Sequence, residues 1–210
     1  GISNLWAKDS YAGRIFAFNT HSTYYSNIQF SIQEGDYFCV NPKLYVGTSD
    51  LRYISFTYPF VMNGTVRTLL GKYNRCNKLN QTTAYINTMR YAGAYYIVAE
   101  AYCRKGETEA ARVLINHYWH CIGVSEAPAG ITNQALLELI LTDKQREFVG
   151  EGVNFFDLKR THLASLPRYS QWGTGASSSI SSTDYRWNFP IPVSEYRFNS
   201  VEQNAGWPSN

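Results

Sequence analysis

Apolar and polar residues change their spacing at about residue 88, which divides the chain into two regions. Residues 1–88 alternate short apolar runs, such as 14–18 and 53–58, with Gly, Asn, Asp and Pro residues. Short runs bounded by turn residues favour strands and irregular segments over helices. We therefore predict that 1–88 is rich in loops and holds a few short strands.

From residue 89 onward the apolar positions follow helical spacing. Residues 89–105 are rich in helix-forming side chains, and Gly106 stands where a helix commonly ends. Residues 108–120 place apolar side chains at the i, i+3, i+4 and i+7 positions of one buried face. The sequence predicts a helix over each of these two stretches.

The rest of the chain contains two further helical stretches and one loop-like stretch. A third helix is predicted to begin at the N-cap residue Thr132 and to end at Gly150 or Gly152. A short helical segment is predicted over 154–161. The Gly/Ser-rich stretch 173–183 has the composition of a flexible surface loop. We predict that 1–88 and the helical region 89–210 together form one domain.

The first two predicted helices carry a more specific pattern. Residues 95–102 and 111–115 match the aromatic, small and apolar positions of a tetratricopeptide helix pair. Ala99 and Ala111 allow the two helices to approach closely, while larger side chains fill the remaining volume. One such unit cannot bury both of its faces, so the pattern predicts neighbouring helices.

Composition and charge exclude several classes of protein. The 210 residues are 44% hydrophobic and 17% charged, which indicates a globular chain and not a disordered one. A net charge of +3 is too balanced for a typical nucleic-acid binder. The aromatic content is high at 16%, and aromatic rings serve both helix packing and stacking on sugars.

The start of the chain and the cysteines say less about the class of protein. No apolar run is long enough to span a bilayer, and the chain begins with Gly1-Ile2-Ser3, which suggests a fragment. The cysteines are scattered without a Cys-x-x-Cys pair, which disfavours a zinc ribbon or a thioredoxin-like motif. Their disulfide state stays open: Cys39, Cys76, Cys103 and Cys121.

Three stretches together resemble the SusD/RagB family of Bacteroidetes. Residues 89–102 resemble a helix of that family, and 140–160, with the ending Phe-Phe-Asp-Leu-Lys-Arg, resemble its most specific motif. Residues 188–207 resemble its Phe-Pro-Ile-Pro and Gln-Asn-Pro-Gly-Tyr ending. Weaker similarities lie upstream, at Ile15-Phe16, Asp50-Leu-Arg52 and Lys72-Tyr73.

This resemblance implies a mainly α fold: a tetratricopeptide-like superhelical scaffold with long loops and a few short strands. It also implies a lipid-anchored outer-membrane protein that captures a glycan, or in some members a peptide. The ligand passes to a SusC-like TonB-dependent barrel, and no cofactor is implied. The anchor cysteine and first repeats of the family have no counterpart here, so we expect the C-terminal portion of such a protein.

Charged and histidine-rich stretches allow catalytic or metal-binding interpretations, which we weigh against structural ones. Glu147, Glu151 and Asp157 could serve acid/base chemistry, but opposite charges close together on a helix more often form salt bridges. His117 and His120 have a spacing that permits metal binding, although no further ligand completes a site in the sequence. We predict salt bridges for the first group and helix surface or aromatic packing for the second.

Ligand capture is expected to rest on aromatic residues in loops, where a ring can stay exposed. Trp172 is the first candidate because it adjoins the Gly/Ser-rich stretch. The other candidates for stacking on a sugar ring are Tyr169, Trp6, Tyr24, Tyr25, Tyr185 and Trp187. We predict a non-catalytic glycan-binding protein; the alternative is a scaffold that binds a partner protein or a peptide.

Overall fold

A computed structural model describes residues 14–21, 49–62, 64–70, 72, 83–162, 166–168, 178–196 and 200–208. The chain divides into two compact units, Gly1–Asn154 and Phe155–Asn210. This boundary differs from the change of pattern at residue 88, and the domain organisation stays a prediction.

The strands of the first unit form two antiparallel pairs. β1 (Arg14–His21) pairs with β4 (Thr83–Arg90), and β2 (Thr57–Met62) pairs with β3 (Thr65–Leu70). The strand predicted from the apolar run at 14–18 is thereby confirmed.

The apolar run at 53–58 was predicted to be extended, and this is wrong for residues 53–56. They belong to a short helix, α1 (Leu51–Phe56), which passes directly into β2. The carboxylate of Asp50 caps this helix by accepting the backbone N–H of Arg52 at 2.9 Å. A local cap and the tertiary contacts of Arg52 therefore override the alternating pattern.

Three longer helices follow: α2 (Tyr91–Arg104), α3 (Thr108–Cys121) and α4 (Asn133–Glu147). The bounds of α2 and α3 are close to the predicted ones, whereas α4 ends at Glu147, before the predicted Gly150 or Gly152. Gly106 lies just after the C-terminal end of α2 and has a φ of 82°, a value that glycine adopts without strain. Thr132 caps α4 by accepting the backbone N–H of Ala135 at 3.3 Å. Among the described residues, no helix is both long and apolar enough to cross a membrane.

The core of the first unit lies between these three helices. Ala99 and Ala111 are completely buried, as the tetratricopeptide pattern predicted, and Ile115 fills the space beside them. The other buried apolar side chains of this cluster are Ala92, Tyr96, Cys103, Trp119, Ile122, Ala127, Leu136, Leu137, Ile140, Leu141 and Phe148. Small side chains at the helix contact and large ones around it produce this close packing.

The second unit is built from short elements. α5 (Asn154–Thr161) begins at the boundary and has its predicted bounds. β5 (Leu166–Arg168) pairs antiparallel with β6 (Ser178–Ile180), and a 3₁₀ helix (Tyr185–Trp187) and α6 (Val193–Tyr196) follow. The predicted loop 173–183 is thus wrong over β6, because pairing with a distant strand leaves no mark on local composition.

Gly123 allows the segment before α1 to lie against the end of α3. Its φ is 72°, and a Cβ atom at this position would lie 2.2 Å from the carbonyl oxygen of Ser49. The same approach brings the N–H of Leu51 within 3.0 Å of the carbonyl of Ile122. A side chain at residue 123 would push these segments apart.

We expect Gly123→Ala to destabilise the first unit more than Gly130→Ala. Gly130 also has a positive φ, 75°, but nothing lies within 4 Å of its Cβ position. Both variants should lose about 1 kcal/mol from backbone strain, and only Gly123→Ala should lose a further ~1–3 kcal/mol from overpacking. Urea unfolding of the two variants measures the difference, and equal losses would show that the close approach contributes nothing.

Candidate functional site

Charged side chains from four parts of the first unit meet in its interior and form a buried ionic cluster. Its members come from the start of α1, from residue 72, from the end of β4, and from α4 with the turn after it. They are Asp50, Arg52, Lys72, Arg90, Asp143, Glu147 and Glu151.

Arg52 lies at one end of the buried ionic cluster and has no exposed surface. Its guanidinium donates to Asp50 at 2.8 Å, to Asp143 at 2.6 Å and to Glu147 at 3.2 Å. Burial opposes the charged form, but the carboxylates of Asp50 and Asp143 outweigh it and raise the pKa of Arg52 above its ordinary value. Arg52 therefore stays charged and ties α1 to α4.

Glu147 is the centre of the cluster. Its carboxylate accepts from both Arg52 and Arg90, and its backbone carbonyl accepts from Lys72 at 2.7 Å. Desolvation favours the neutral acid, but the charges of Arg90, Arg52 and Lys72 outweigh it and lower the pKa of Glu147 to about 2. The carboxylate is therefore ionised at neutral pH and stabilises three cations at once.

Lys72 is fully buried at the other end of the cluster. Its ammonium donates to Glu151 at 2.6 Å and lies 4.2 Å from the centre of the Phe56 ring. Desolvation lowers the pKa of Lys72 to about 8, although the nearby carboxylates, Glu151 first, act in the opposite direction. A buried lysine with such partners serves to connect segments and is closed to a bound ligand.

The remaining carboxylate, Asp143, has its oxygens occupied by protein donors. It accepts from the hydroxyl of Tyr96 and, at 2.6 Å, from the indole N–H of Trp119, in addition to Arg52. The prediction that the charged residues near the end of α4 form salt bridges is confirmed. Asp157 on α5 also forms a salt bridge, as predicted, and its carboxylate lies 2.7 Å from the guanidinium of Arg160.

The second unit carries an exposed aromatic pair, which we call the Tyr185–Trp207 corner. Tyr185 is 43% exposed, and its ring meets that of Trp207 edge to face, with the ring centres 5.2 Å apart. Gly206 lies against the same tyrosine ring, and its φ of 88° is one that residues with a side chain rarely adopt. The corner combines a partly exposed tyrosine with close contacts from Gly206 and Trp207.

The structure separates the two sugar-stacking candidates that it describes. Tyr185 is exposed, whereas Trp187 is only 5% exposed, donates its indole N–H to Ser181, and packs with its ring centre 5.6 Å from that of Phe155. Little of the Trp187 ring is open to a ligand. The other five candidates lie outside the described residues, and their role stays a prediction: Trp6, Tyr24, Tyr25, Tyr169 and Trp172.

The histidines of α3 lie in an aromatic patch and on the helix surface, as predicted. The ring centre of His117 is 6.1 Å from that of Tyr95, which in turn stacks on Tyr118. His120 lies on the surface with its Nδ1 3.4 Å from a carboxylate oxygen of Glu126. No group of three or more His, Cys, Asp or Glu side chains in the described part of the chain is arranged to hold a metal ion.

Sequence reasoning missed two features of these sites. It noted Asp50, Arg52 and Lys72 as separate family positions, but local spacing could not show that they pair with α4, up to 95 residues away. It did not single out Trp207 as a candidate, because the contact with Tyr185 spans 22 positions and leaves no periodic signal.

Comparison with known proteins assigns the family. The sequence profile of the SusD family matches residues 14–207, which is most of the chain. The chain belongs to the SusD family. No curated protein matches it.

Solved structures resemble this SusD-family chain over nearly its whole length. A SusD superfamily protein from Bacteroides thetaiotaomicron matches with a TM-score of 0.71 and 21% identity, over 96% of this chain and 50% of that one. Another from Bacteroides vulgatus matches with a TM-score of 0.68 and 19% identity, over 99% and 49%. The chain thus spans about half the length of these proteins, and the predicted mainly helical SusD-like fold is confirmed.

Proposed function

We propose that this SusD-family chain is part of a non-catalytic glycan-binding protein at the cell surface. Family membership is the observation that carries the proposal. One structural neighbour, which matches 74% of this chain at a TM-score of 0.52 and 18% identity, is described as a SusD-like carbohydrate binding protein from Bacteroides vulgatus. The exposed Tyr185–Trp207 corner is a surface that suits this ligand.

The absence of a catalytic step is supported by how the carboxylates are used. Glu147 and Glu151 are two of the four acidic residues of the most specific family motif, and Arg90 and Lys72 hold them inside the buried ionic cluster. A general acid or nucleophile of a glycosidase must instead reach the scissile bond of the sugar. Each of these two carboxylates is therefore a member of a structural ion pair.

The proposal also places the longer protein in an outer-membrane uptake system. We expect the longer protein to be lipid-anchored at the outer membrane and to deliver its ligand to a SusC-like TonB-dependent barrel. The family resemblance supports this placement, and the two neighbours above come from Bacteroides species. Stacking on two or three rings with a few hydrogen bonds gives roughly micromolar to millimolar affinity, which suits a protein that releases its ligand onward.

Electrophoresis in native gels that contain a panel of polysaccharides tests glycan binding. We expect at least one polysaccharide to retard the chain relative to a reference protein, because a bound polymer slows migration. Trp172→Ala should reduce the retardation, since each stacked ring contributes on the order of 1 kcal/mol. Equal mobility in every gel would contradict glycan binding by this chain.

A partner-binding scaffold is the second candidate, and exposed apolar side chains on α2 favour it. Tyr91, Ile97 and Val98 are exposed although the opposite face of the same helix is buried in the core. Exposed apolar patches often mark contacts with another protein. Co-expression with a SusC-like barrel tests this candidate: co-purification that Val98→Asp abolishes, without any polysaccharide binding, would favour the scaffold over the glycan binder.

A further inference from the structure

We propose that a row of phenylalanine rings on the second unit is the docking face for a segment of the longer polypeptide outside residues 1–210. The row, which we call the Phe155–Phe189 row, consists of Phe155 and Phe156 on α5 and of Phe189 after the 3₁₀ helix. The inference goes beyond the proposed function, because it assigns an interaction surface that does not depend on glycan binding.

The rings of the Phe155–Phe189 row form one continuous aromatic surface. The ring centres of Phe155 and Phe189 are 5.2 Å apart, and their planes are nearly parallel at 21°. The ring of Phe156 meets that of Phe155 edge to face, with the centres 5.6 Å apart. The row joins the stretches 140–160 and 188–207, two of the three that resemble the SusD family. The proposed function does not use these rings.

Two rings of the row are exposed, although the segments that carry them are well packed. Phe156 and Phe189 are each 68% exposed. In the same segments Leu158 and Trp187 are only 3% and 5% exposed, so α5 and the 3₁₀ helix already have a buried side of their own. Adjoining exposed apolar side chains of this size commonly mark a surface that contacts another part of a protein.

Hydrogen bonds fix the backbone that presents Phe189. Its carbonyl accepts from the side-chain amide of Asn204 at 2.7 Å. The carbonyl of Asn188, just before it, accepts the indole N–H of Trp207, also at 2.7 Å. Because both of these carbonyls are bonded, the segment needs little further ordering when an apolar side chain packs on the ring, and this favours docking.

The exposed area of the row indicates which kind of occupant fits. An aromatic side chain buries about 150–250 Å² when it is covered, so two rings that are each 68% exposed offer roughly 200–340 Å². A stable complex of separate proteins buries about 800 Å² on each partner. The row is therefore too small to hold a second copy or another protein by itself.

A segment of the same polypeptide avoids this difficulty. It is already tethered, so it loses much less translational freedom on docking, and its effective concentration is roughly millimolar. Residues 1–210 correspond to about half of the two SusD superfamily structures compared above. A protein of those proportions has about as many residues again outside this chain. Aliphatic or aromatic side chains in that part suit the two exposed rings.

Hydroxyl-radical footprinting with mass spectrometry tests the assignment, because it measures the oxidation rate of each side chain. It is applied to residues 1–210 and to the longer protein, each purified without a barrel protein. Phe156 and Phe189 should oxidise at least about fivefold more slowly in the longer protein, as rings do when they pass from exposed to buried. Phe56, which is 1% exposed, sets the slow limit, and the longer protein unfolded in urea sets the fast limit.

Concentration and partner identify the occupant. Protection by a segment of the same polypeptide should survive about tenfold dilution, whereas protection by a second copy should fall, because only the second depends on protein concentration. Protection that is lost on dilution, or that arises only when a SusC-like barrel is added, would overturn the assignment in favour of those occupants.

Phe156→Gln supplies an independent measurement, and the same substitution in residues 1–210 is its matched control. In the longer protein it should lower the melting temperature by about 3–8 °C, because a polar side chain replaces a buried ring. In residues 1–210, where the ring is already in contact with water, the melting temperature should fall by less than about 2 °C. Phe189→Gln should follow the same pattern.

Two results would contradict the assignment. If Phe156 and Phe189 oxidise near the fast limit in the folded longer protein, no segment covers the row. If Phe156→Gln lowers the melting temperature equally in the two proteins, the longer polypeptide adds no contact there. The footprinting limits are both measured on the longer protein, so this test holds even where residues 1–210 do not fold alone. No polysaccharide enters either measurement, so failure of the row is distinguishable from failure of glycan binding.

Discussion

Glu147→Gln will lower the free energy of unfolding by about 3–5 kcal/mol, because it removes one partner from a buried network of charges. Glutamine has nearly the same shape as glutamate but carries no charge. Arg52, Arg90 and Lys72 would keep their charges in the interior with less compensation. Urea unfolding monitored by circular dichroism measures this loss.

Glu109→Gln is the matched control, since it makes the same chemical change in an exposed ion pair. Glu109 pairs with Arg112 at 2.6 Å on the surface of α3. Exposed pairs typically contribute about 0–1 kcal/mol, so this variant should unfold nearly as the unchanged chain does. If Glu147→Gln and Glu109→Gln were equally mild, the buried ionic cluster would not be a source of stability.

Acidification will destabilise the chain between about pH 4.5 and pH 2, and Glu147 will account for roughly 2–3 kcal/mol of the loss. The pKa of Glu147 is about 2 in the folded chain against 4.5 for a free glutamate. A carboxyl whose pKa is lowered by folding stabilises the fold above its unfolded pKa. That stability disappears as the pH falls through the folded pKa. Urea unfolding at pH 6 and at pH 2.5 compares the two conditions.

The Glu147→Gln variant supplies the control for this pH dependence. It lacks the titrating carboxyl, so its loss of stability between pH 6 and pH 2.5 should be smaller than that of the unchanged chain by about the same 2–3 kcal/mol. Identical pH dependence in the two proteins would mean that other carboxyls account for acid unfolding.

Local sequence signals determined the helical part of the fold. The i, i+3, i+4 spacing, Thr132 at an N-cap and Gly106 after a helix each act within a few residues, so the bounds of α2, α3 and α5 and the start of α4 could be predicted closely. Ala99 and Ala111 indicated a close helix contact for the same reason, because a small side chain at a fixed spacing is itself the condition for close packing, and both are completely buried. The family, too, could be predicted from three motifs in order.

The tertiary structure determined the features that depend on residues far apart in the chain. The charged residues of the buried ionic cluster are scattered along the sequence, and only the fold brings residues 50, 52 and 72 to α4, where their charges compensate each other. Likewise Tyr185 and Trp187 are both aromatic and stand two positions apart, yet one is exposed and the other packs beneath Phe155. Pairing of charges and exposure of rings depend on residues distant in the chain, and hydrophobic periodicity records only neighbours within a turn or two.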